Sequence, residues 1–231
     1  MKRFNITIMQ PTFHNQKGIK EFADTIKALQ LDTRIKKMVD ERMEEFRMVH
    51  EMDTYKWYEE LVYCLLTAYS SALMGQKCVD ALSNDNVLLE GSKDDIRECL
   101  VDTGHRFPNK RAEFIYNTQY LAPIIKKTIQ GFKDSKVTRE WLVENIKGLG
   151  WKEASHYLRN IGYFDLAIID RHIINNLREY RIIELDPNKG LKKKRYLSVE
   201  ETLNQLADEV GLQPGELDLY MWYRKTGKVL K

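Results

Sequence analysis

Apolar residues recur at helical spacing along almost the whole chain after Gly18. Charged faces lie opposite the apolar ones in segments such as IKEFADTIKALQ, TRIKKMVDERMEEFRMVHEM and SVEETLNQLADEVG, which is the pattern of helices packed on a core. Gly or Pro stands at most junctions between the segments, as is typical of helix ends. Only residues 4–8 alternate in the manner of a β-strand, and that run is too short to build a sheet. The sequence therefore predicts an all-α fold.

The length of 231 residues suffices for one large core or for two smaller cores that share a cleft. The most apolar segment, YKWYEELVYCLLTAYSSALMG, is expected to form a single central core helix. We predict an inner helical bundle over residues 54–160. Residues 19–53 and 161–231 are predicted to join as a second helical subdomain, and residues 1–18 form an N-terminal extension to which no role is assigned.

Charge is nearly balanced over the chain, with 37 basic and 34 acidic residues and a net charge of +3. A nucleic-acid partner would therefore need a surface on which the basic residues are concentrated. One basic run, residues 192–195, closes the segment 183–195, which contains Pro187 and Gly190 and is the clearest predicted loop. Such a run can contact DNA backbone, but it is more often simply solvated.

Several function classes are disfavoured by what the sequence lacks. The three cysteines are widely spaced and no CxxC or HExxH pattern occurs, so a zinc site, a disulfide framework and metal-dependent hydrolysis are not expected. Neither GxGxxG nor GxxxxGK[ST] occurs, so no nucleotide cofactor is implied. The N-terminus has no apolar run like that of a signal peptide. We expect a cytoplasmic protein.

The stretch IKGLGWKEAS ends one amphipathic segment and begins the next. Glycines at 148 and 150 allow positive φ angles and the close approach of another group. A tight turn into a helix N-terminus directs unpaired N–H groups outward, which suits a phosphate. Helix–helix turns also contain glycine without binding anything, and the pattern alone leaves both interpretations open.

Lys152 falls in the first turn of the helix that follows this turn. The positive end of a helix dipole favours an acidic side chain there, so lysine is locally the wrong charge. A solvated surface lysine is the ordinary explanation, whereas a lysine held as a neutral amine can attack carbon and form a Schiff base. Asp170 follows the apolar run LAII and is predicted to cap the next helix. If the chain folds back, both residues reach one cleft wall, where a carboxylate can accept a proton or face a developing cation.

The hairpin GLGWKEA, followed by an aspartate after an apolar run, resembles the helix-hairpin-helix DNA glycosylase superfamily. Six stretches in matching order are similar to its archaeal-type 8-oxoguanine DNA glycosylase/lyases: LLTAYSSALMGQK, GHRFPNKRAEFI, GLGWKEASHYLRNIG, LAIIDRHI, KKKRYLSVEE and DLYMWYRKTGKVLK. The likeness extends from about residue 19 to the last residue. It implies two α-helical subdomains flanking a DNA-binding groove.

The resemblance also implies roles for particular residues. Lys152 becomes the nucleophile on the sugar C1′ of the damaged nucleotide, and Asp170 its electrostatic and proton-transfer partner. Gly148 and Gly150 become the hairpin that grips phosphate through backbone amides. Base excision would leave a covalent imine, and β-elimination would cut the strand 3′ to the lesion.

The family's lesion pocket is implied at three further positions. Phe107 and Trp222 match the aromatic residues that sandwich the extruded base, and Lys231 matches a lysine whose terminal carboxylate helps to read the purine edge. Without the family, the two aromatic residues could equally be core residues and Lys231 a frayed tail. Tyr69 stands where relatives carry Asn or Gln, on the turn expected to fill the DNA gap, so recognition of the opposite base is expected to differ.

The implied partner is duplex DNA containing 8-oxoguanine. The protein is expected to be a monomer and not to associate with a membrane. No cofactor, metal or iron–sulfur cluster is implied, since no cysteine follows Cys99. Two alternatives stay open: a non-enzymatic helix-hairpin-helix module that only binds DNA, and a glycosylase for a different oxidised base, such as a pyrimidine.

Overall fold

The computed structural model describes residues 15–84, 86–186 and 190–231. All regular elements in these ranges are helices, so the predicted all-α class is confirmed for the part of the chain that is described. The strand-like alternation at residues 4–8 and most of the N-terminal extension, residues 1–14, lie outside the described residues.

Thirteen α-helices and one short 3-10 helix follow one another through the described ranges. They are α1 (Gln16–Leu31), α2 (Thr33–Glu51), α3 (Thr54–Thr67), α4 (Ala72–Asn84), α5 (Val87–Glu90), α6 (Lys93–Asp102), α7 (Pro108–Tyr116), the 3-10 helix (Gln119–Leu121), α8 (Ile125–Gln130), α9 (Ser135–Asn145), α10 (Trp151–Asn160), α11 (Arg171–Glu179), α12 (Lys193–Val210) and α13 (Pro214–Thr226).

Short polar side chains fix where several helices begin. Asp32 accepts the backbone N–H groups of the first turn of α2, and Asp53 and Asp134 do the same for α3 and α9. Each cap satisfies donors that have no partner inside the helix. At the other end, Gly211 and Gly227 terminate α12 and α13 with φ near +70°, a conformation that glycine adopts without steric cost.

Two hydrophobic clusters form the core. The first lies between Trp57 and Leu166 and is built around α3 and α10. The second combines Phe22–Phe46 with Ala167–Val229, so that α1, α2, α11, α12 and α13 pack together. Ile161 and Leu166 belong to the first cluster, a few residues past the predicted boundary at 160. The division into two subdomains, an inner bundle of residues 54–160 and a second subdomain of residues 19–53 and 161–231, stays a prediction.

The single core helix predicted around residues 55–75 is wrong in detail. α3 ends at Thr67 and α4 begins at Ala72, and Tyr69 in the turn between them has a φ of +62°. A positive φ cannot continue a right-handed helix, so the chain changes direction here. The hydrophobic pattern hid this break because both helices bury apolar residues against the same cluster.

Two other boundaries differ from the sequence-based prediction. α1 begins at Gln16 and therefore contains Gly18, where a Cβ would overlap the backbone oxygen of Tyr180. The loop predicted over residues 183–195 ends at Lys192, because α12 already begins at Lys193. None of the described helices combines the length and the apolar character that crossing a membrane requires.

Candidate active site

A groove runs between the two hydrophobic clusters, and its walls come from the α3–α4 turn, α7, the α9–α10 hairpin, α11, α13 and the last residues of the chain. Basic side chains outnumber acidic ones along it: Arg106, Lys110, Arg111, Lys152, Arg159, Arg171 and Lys231 against Glu153, Asp170 and Asp218. Charge is therefore segregated locally in a chain that is almost neutral overall, as a polyanionic partner requires.

The α9–α10 hairpin turns as tightly as its sequence predicts. Gly148 has a φ of +99°, and a Cβ at this position would lie 2.3 Å from Cδ2 of Phe114, so no other residue fits without rearrangement. Gly150 differs from the prediction, since it does not have a positive φ. It is the extended N-cap of α10, with φ −93° and ψ −177°, and its carbonyl oxygen accepts the first helical hydrogen bond from Ala154.

Lys152 lies in the first turn of α10 and faces the groove. Its side chain is 29% exposed, and its Nζ lies 3.5 Å from Oε1 of Glu153, which is a long contact for a charge-assisted hydrogen bond. The amine is thus partly shielded from water but only loosely held.

Asp170 caps α11, as predicted from its position after the apolar run. Its Oδ1 accepts hydrogen bonds from the backbone N–H groups of His172 and Ile173, both at 2.8 Å. Both bonds use one oxygen, so the carboxylate is fixed in orientation while Oδ2 makes no hydrogen bond to the described residues. Asp170 and Lys152 line the same groove.

A buried ion pair lies beneath these two residues. Arg159 of α10 donates to Oδ2 of Asp218 of α13 at 2.6 Å, and both side chains are almost fully buried. Oδ1 of Asp218 has no hydrogen-bond partner among the described residues. Burial raises the pKa of the Asp218 carboxyl to about 7, and the neighbouring Asp170 carboxylate acts in the same direction, against Arg159 and Lys152.

The two aromatic residues predicted to hold a base both line the groove. Phe107 is the N-cap residue of α7 and is 38% exposed, with the Arg106 guanidinium 5.0 Å from its ring centroid. Trp222 of α13 packs against His172 with 4.8 Å between ring centroids. The core-packing alternative does not fit Phe107, whose ring is left open toward the groove.

Lys231 is anchored rather than frayed. Its Nζ donates to Oε1 of Glu60 at 2.8 Å and to Oε1 of Gln76 at 3.0 Å. The Tyr63 hydroxyl donates to its backbone oxygen at 2.9 Å, and Glu60 is held in turn by the side-chain amide of Asn160 at 3.0 Å. α3 and α4 therefore fix the last residue at the groove wall.

Tyr69 projects from the turn between α3 and α4 into the groove, with 87% of its surface exposed. Next to it, the buried Arg111 donates to the carbonyl oxygen of Ala68 at 2.6 Å and holds the backbone at the start of the turn. A positive φ on a bulky residue stores about 1–3 kcal/mol of strain and is most often found at functional sites.

Some charged residues take no part in the groove. Residues 192–195 are absent from its lining, and Lys193 pairs with Glu140 at 3.0 Å. His105 is buried, accepts the Phe107 N–H at Nδ1 and binds the carbonyl oxygen of Leu66 through Nε2, so both ring nitrogens are occupied by the backbone. Within the described ranges, no three His, Cys, Asp or Glu side chains are grouped closely enough to hold a metal ion.

Sequence reasoning missed several residues of the groove, namely His156, Arg159, His172 and Asp218. Each stands on a helix where an isolated polar residue normally faces water. The only local signal lies in α10, where Lys152, His156 and Arg159 recur at helical spacing and therefore share one face.

The fold and the groove define a helical protein in which a hairpin of two helices presents a lysine to a basic cleft. A family model described as 8-oxoguanine DNA glycosylase matches residues 39–212, and the chain belongs to that family. The 8-oxoguanine DNA glycosylase/AP lyase of Korarchaeum cryptofilum is 42% identical over 214 residues, which cover 93% of this chain and 100% of the relative. The protein of the same name from Methanocaldococcus jannaschii is 42% identical over 200 residues, covering 87% and 95%.

Solved structures agree with this assignment. The M. jannaschii 8-oxoguanine glycosylase/lyase in complex with a 15-mer DNA containing 8-oxoguanine superimposes with a TM-score of 0.86 at 40% identity, over 91% of this chain and 100% of that one. The 8-oxoguanine DNA glycosylase of Thermotoga maritima gives 0.84 at 38% identity, over 92% and 100%.

Proposed function

We propose that this chain extrudes 8-oxoguanine from duplex DNA, removes the base and then cuts the strand at the abasic site. The proposal is carried by one observation: Lys152 and Asp170, from consecutive helices, face the same predominantly basic groove. The names of the relatives, which are glycosylase/AP lyases, support it.

The chemistry follows from an amine placed beside a carboxylate. The Lys152 amine adds to C1′ of the extruded nucleotide as the C1′–N9 bond breaks, and the electron pair leaves with the purine, which takes up a proton. The nitrogen then loses a proton and its electron pair expels O4′ from C1′, so that the sugar ring opens, O4′ takes up a proton and a protonated imine forms. Removal of a proton from C2′ then expels the phosphate oxygen at C3′, which cuts the strand 3′ to the lesion, and water hydrolyses the imine.

Asp170 has two tasks in this scheme. Its backbone hydrogen bonds hold the carboxylate in place, so that its negative charge stabilises the positive charge developing on the sugar without reorganisation. Its uncommitted Oδ2 can accept a proton from the amine. The nearby Asp218, whose pKa is raised to about 7, adds little repulsion while it carries a proton.

The remaining groove residues bind the DNA. Phe107 and Trp222 stack on the extruded base, and Lys231 contacts its edge. The N–H groups around Gly148 and Gly150, at the start of α10, bind a phosphate, and Tyr69 fills the gap left in the duplex by stacking. The enzyme acts as a monomer, without a cofactor, on chromosomal DNA in the cytoplasm of a prokaryotic cell.

Borohydride trapping tests the proposal. With a duplex containing 8-oxoguanine, the wild-type chain should form a covalent adduct and cut the strand, whereas Lys152→Gln should form none and lose excision by roughly a thousandfold or more. Lys136→Gln changes a lysine of α9 outside the groove and is the matched control.

Other outcomes point to the alternatives. If the wild-type chain binds DNA but is neither trapped by borohydride nor excises the base, the chain is a non-enzymatic DNA-binding module. In a panel of duplexes that each carry one lesion, faster excision of thymine glycol than of 8-oxoguanine would make the chain a glycosylase for oxidised pyrimidines.

A further inference from the structure

Both side-chain nitrogens of His156 are buried in the groove lining without a partner among the described residues. Oδ1 of Asp218 and Nε of Arg111 also lack a partner there, but each of those side chains has another atom that is hydrogen-bonded. His156 as a whole is 9% exposed. A buried polar group that gives up water without gaining a partner costs free energy, so such groups are rare and concentrate where a ligand or strain explains them.

The position of this ring ties it to the proposed chemistry. His156 lies four residues after Lys152 in α10, so both side chains lie on the same face of the helix, and both line the groove. The His156 ring packs edge-on against Tyr63, which also lines the groove, with 5.9 Å between ring centroids. Tyr63 in turn holds Lys231, the residue proposed to contact the edge of the base.

Burial, together with the cations nearby, favours the neutral form of the His156 ring. Burial lowers its pKa well below the ordinary value, and the cations Arg159, Lys152 and Lys231 act in the same direction. A neutral imidazole offers one N–H donor and one acceptor nitrogen. Both are complementary to the edge of a purine, which carries donors and acceptors side by side.

We infer that His156 hydrogen-bonds the extruded purine and is a binding residue for the damaged base. The inference rests on the proposed function, because it requires a base to enter the groove. The bound base would supply the hydrogen-bond partner that His156 lacks in the free protein. The free energy lost by burying the unpartnered ring nitrogens would then be recovered only when substrate is bound.

The test compares His156→Phe with Tyr157→Phe. The Tyr157 hydroxyl is a second buried oxygen without a partner in the described ranges, on the same helix, but Tyr157 belongs to the first hydrophobic cluster and does not line the groove. Each variant removes buried polar atoms and keeps an aromatic ring. Two single-turnover rates are measured, excision of 8-oxoguanine and cleavage of a preformed abasic site, together with the melting temperature of each protein.

We expect His156→Phe to slow excision about tenfold or more, while cleavage of the abasic site, which has no base, stays close to the wild-type rate. Its melting temperature should equal or exceed that of the wild type, because unpartnered polar atoms are removed. Tyr157→Phe should retain both rates, and His156→Gln, whose amide has a donor and an acceptor, should recover part of the excision rate.

Three results would overturn the inference. If His156→Phe melts at a lower temperature and loses both rates together, the ring supports the fold or acts on Lys152. If both rates are unchanged, His156 does not contact the base. Equal losses in His156→Phe and Tyr157→Phe would point to packing. Failure of the proposed function is distinguishable, because the wild-type chain would then excise no 8-oxoguanine at all.

Discussion

Two buried arginine–carboxylate pairs connect α9 and α10 to the helices of the second hydrophobic cluster, and they differ in whether both oxygens of the carboxylate accept hydrogen bonds. Arg139 of α9 donates to both oxygens of Glu200 of α12, with 2.7 Å between Nη2 and Oε2. It also donates to the Ser155 hydroxyl at 3.0 Å, and Glu200 accepts the backbone N–H of Ala167. Arg159 donates to only one oxygen of Asp218, and the other oxygen has no partner among the described residues.

The difference follows the distance from the proposed chemistry. The Arg139–Glu200 pair lies outside the groove, where hydrogen bonds to both carboxylate oxygens of Glu200 offset part of the cost of burying two charges, although Nε of Arg139 has no partner among the described residues. The Arg159–Asp218 pair lies in the groove lining, where an unsatisfied carboxyl stands close to Asp170 and Lys152. The Arg139–Glu200 pair thus stabilises the fold, whereas the Arg159–Asp218 pair sets the electrostatics of the groove.

Breaking the Arg139–Glu200 pair should have the largest effect on stability. Arg139→Met leaves the Glu200 carboxylate buried without its countercharge, and we expect the free energy of unfolding to fall by about 3–5 kcal/mol in a denaturant titration. The double variant Arg139→Met with Glu200→Gln should recover much of the loss, since no buried charge remains. A loss below about 1 kcal/mol in the single variant, the range of an exposed ion pair, would contradict the comparison.

The Arg159–Asp218 pair should instead make the free energy of unfolding depend on pH. The pKa of Asp218 is about 7 in the folded chain and 3.8 for an unperturbed aspartate, so the folded state holds the proton more tightly between those values. The stability that this proton contributes is lost as pH rises toward 7. Asp218→Asn abolishes this titration.

We therefore expect the free energy of unfolding of the wild type, minus that of Asp218→Asn, to decrease between about pH 4 and pH 7 by an amount on the order of a few kcal/mol. Denaturant midpoints of both proteins across this range provide the measurement. A difference that does not change with pH would mean that Arg159 keeps the carboxyl ionised throughout, and the two pairs would then be alike.

Local sequence signals predicted the parts of the site that depend on neighbouring residues. The hairpin glycine at 148, the first-turn position of Lys152 and the capping role of Asp170 all follow from residues a few places apart. The hydrophobic pattern did not predict the turn at Tyr69, which only the family resemblance implied, because a positive φ in a non-glycine residue is imposed by its surroundings, here the hydrogen bond from Arg111 to the carbonyl oxygen of Ala68.

The polar interactions beneath the groove could not be predicted from one sequence. Arg159 and Asp218 are 59 residues apart, Arg139 and Glu200 are 61 apart, and Lys231 meets Glu60 across 171 residues. In the sequence the helical members of these pairs are ordinary charges on amphipathic helices, and Lys231 follows the last helix; such charges are normally solvated. Only packing of the two clusters against each other brings these charges together and buries them.

The central claim is that Lys152 is the nucleophile, and three lysines line the groove. The most direct test is therefore to identify which lysine carries the sugar after borohydride trapping. Lys110 pairs with Glu113 at 2.9 Å and Lys231 with Glu60 at 2.8 Å, whereas Lys152 has only the long contact to Glu153. After borohydride reduction and proteolysis, mass spectrometry should find the sugar-derived mass on the peptide that contains Lys152. Attachment at Lys110 or Lys231, with Lys152 unmodified, would contradict the account.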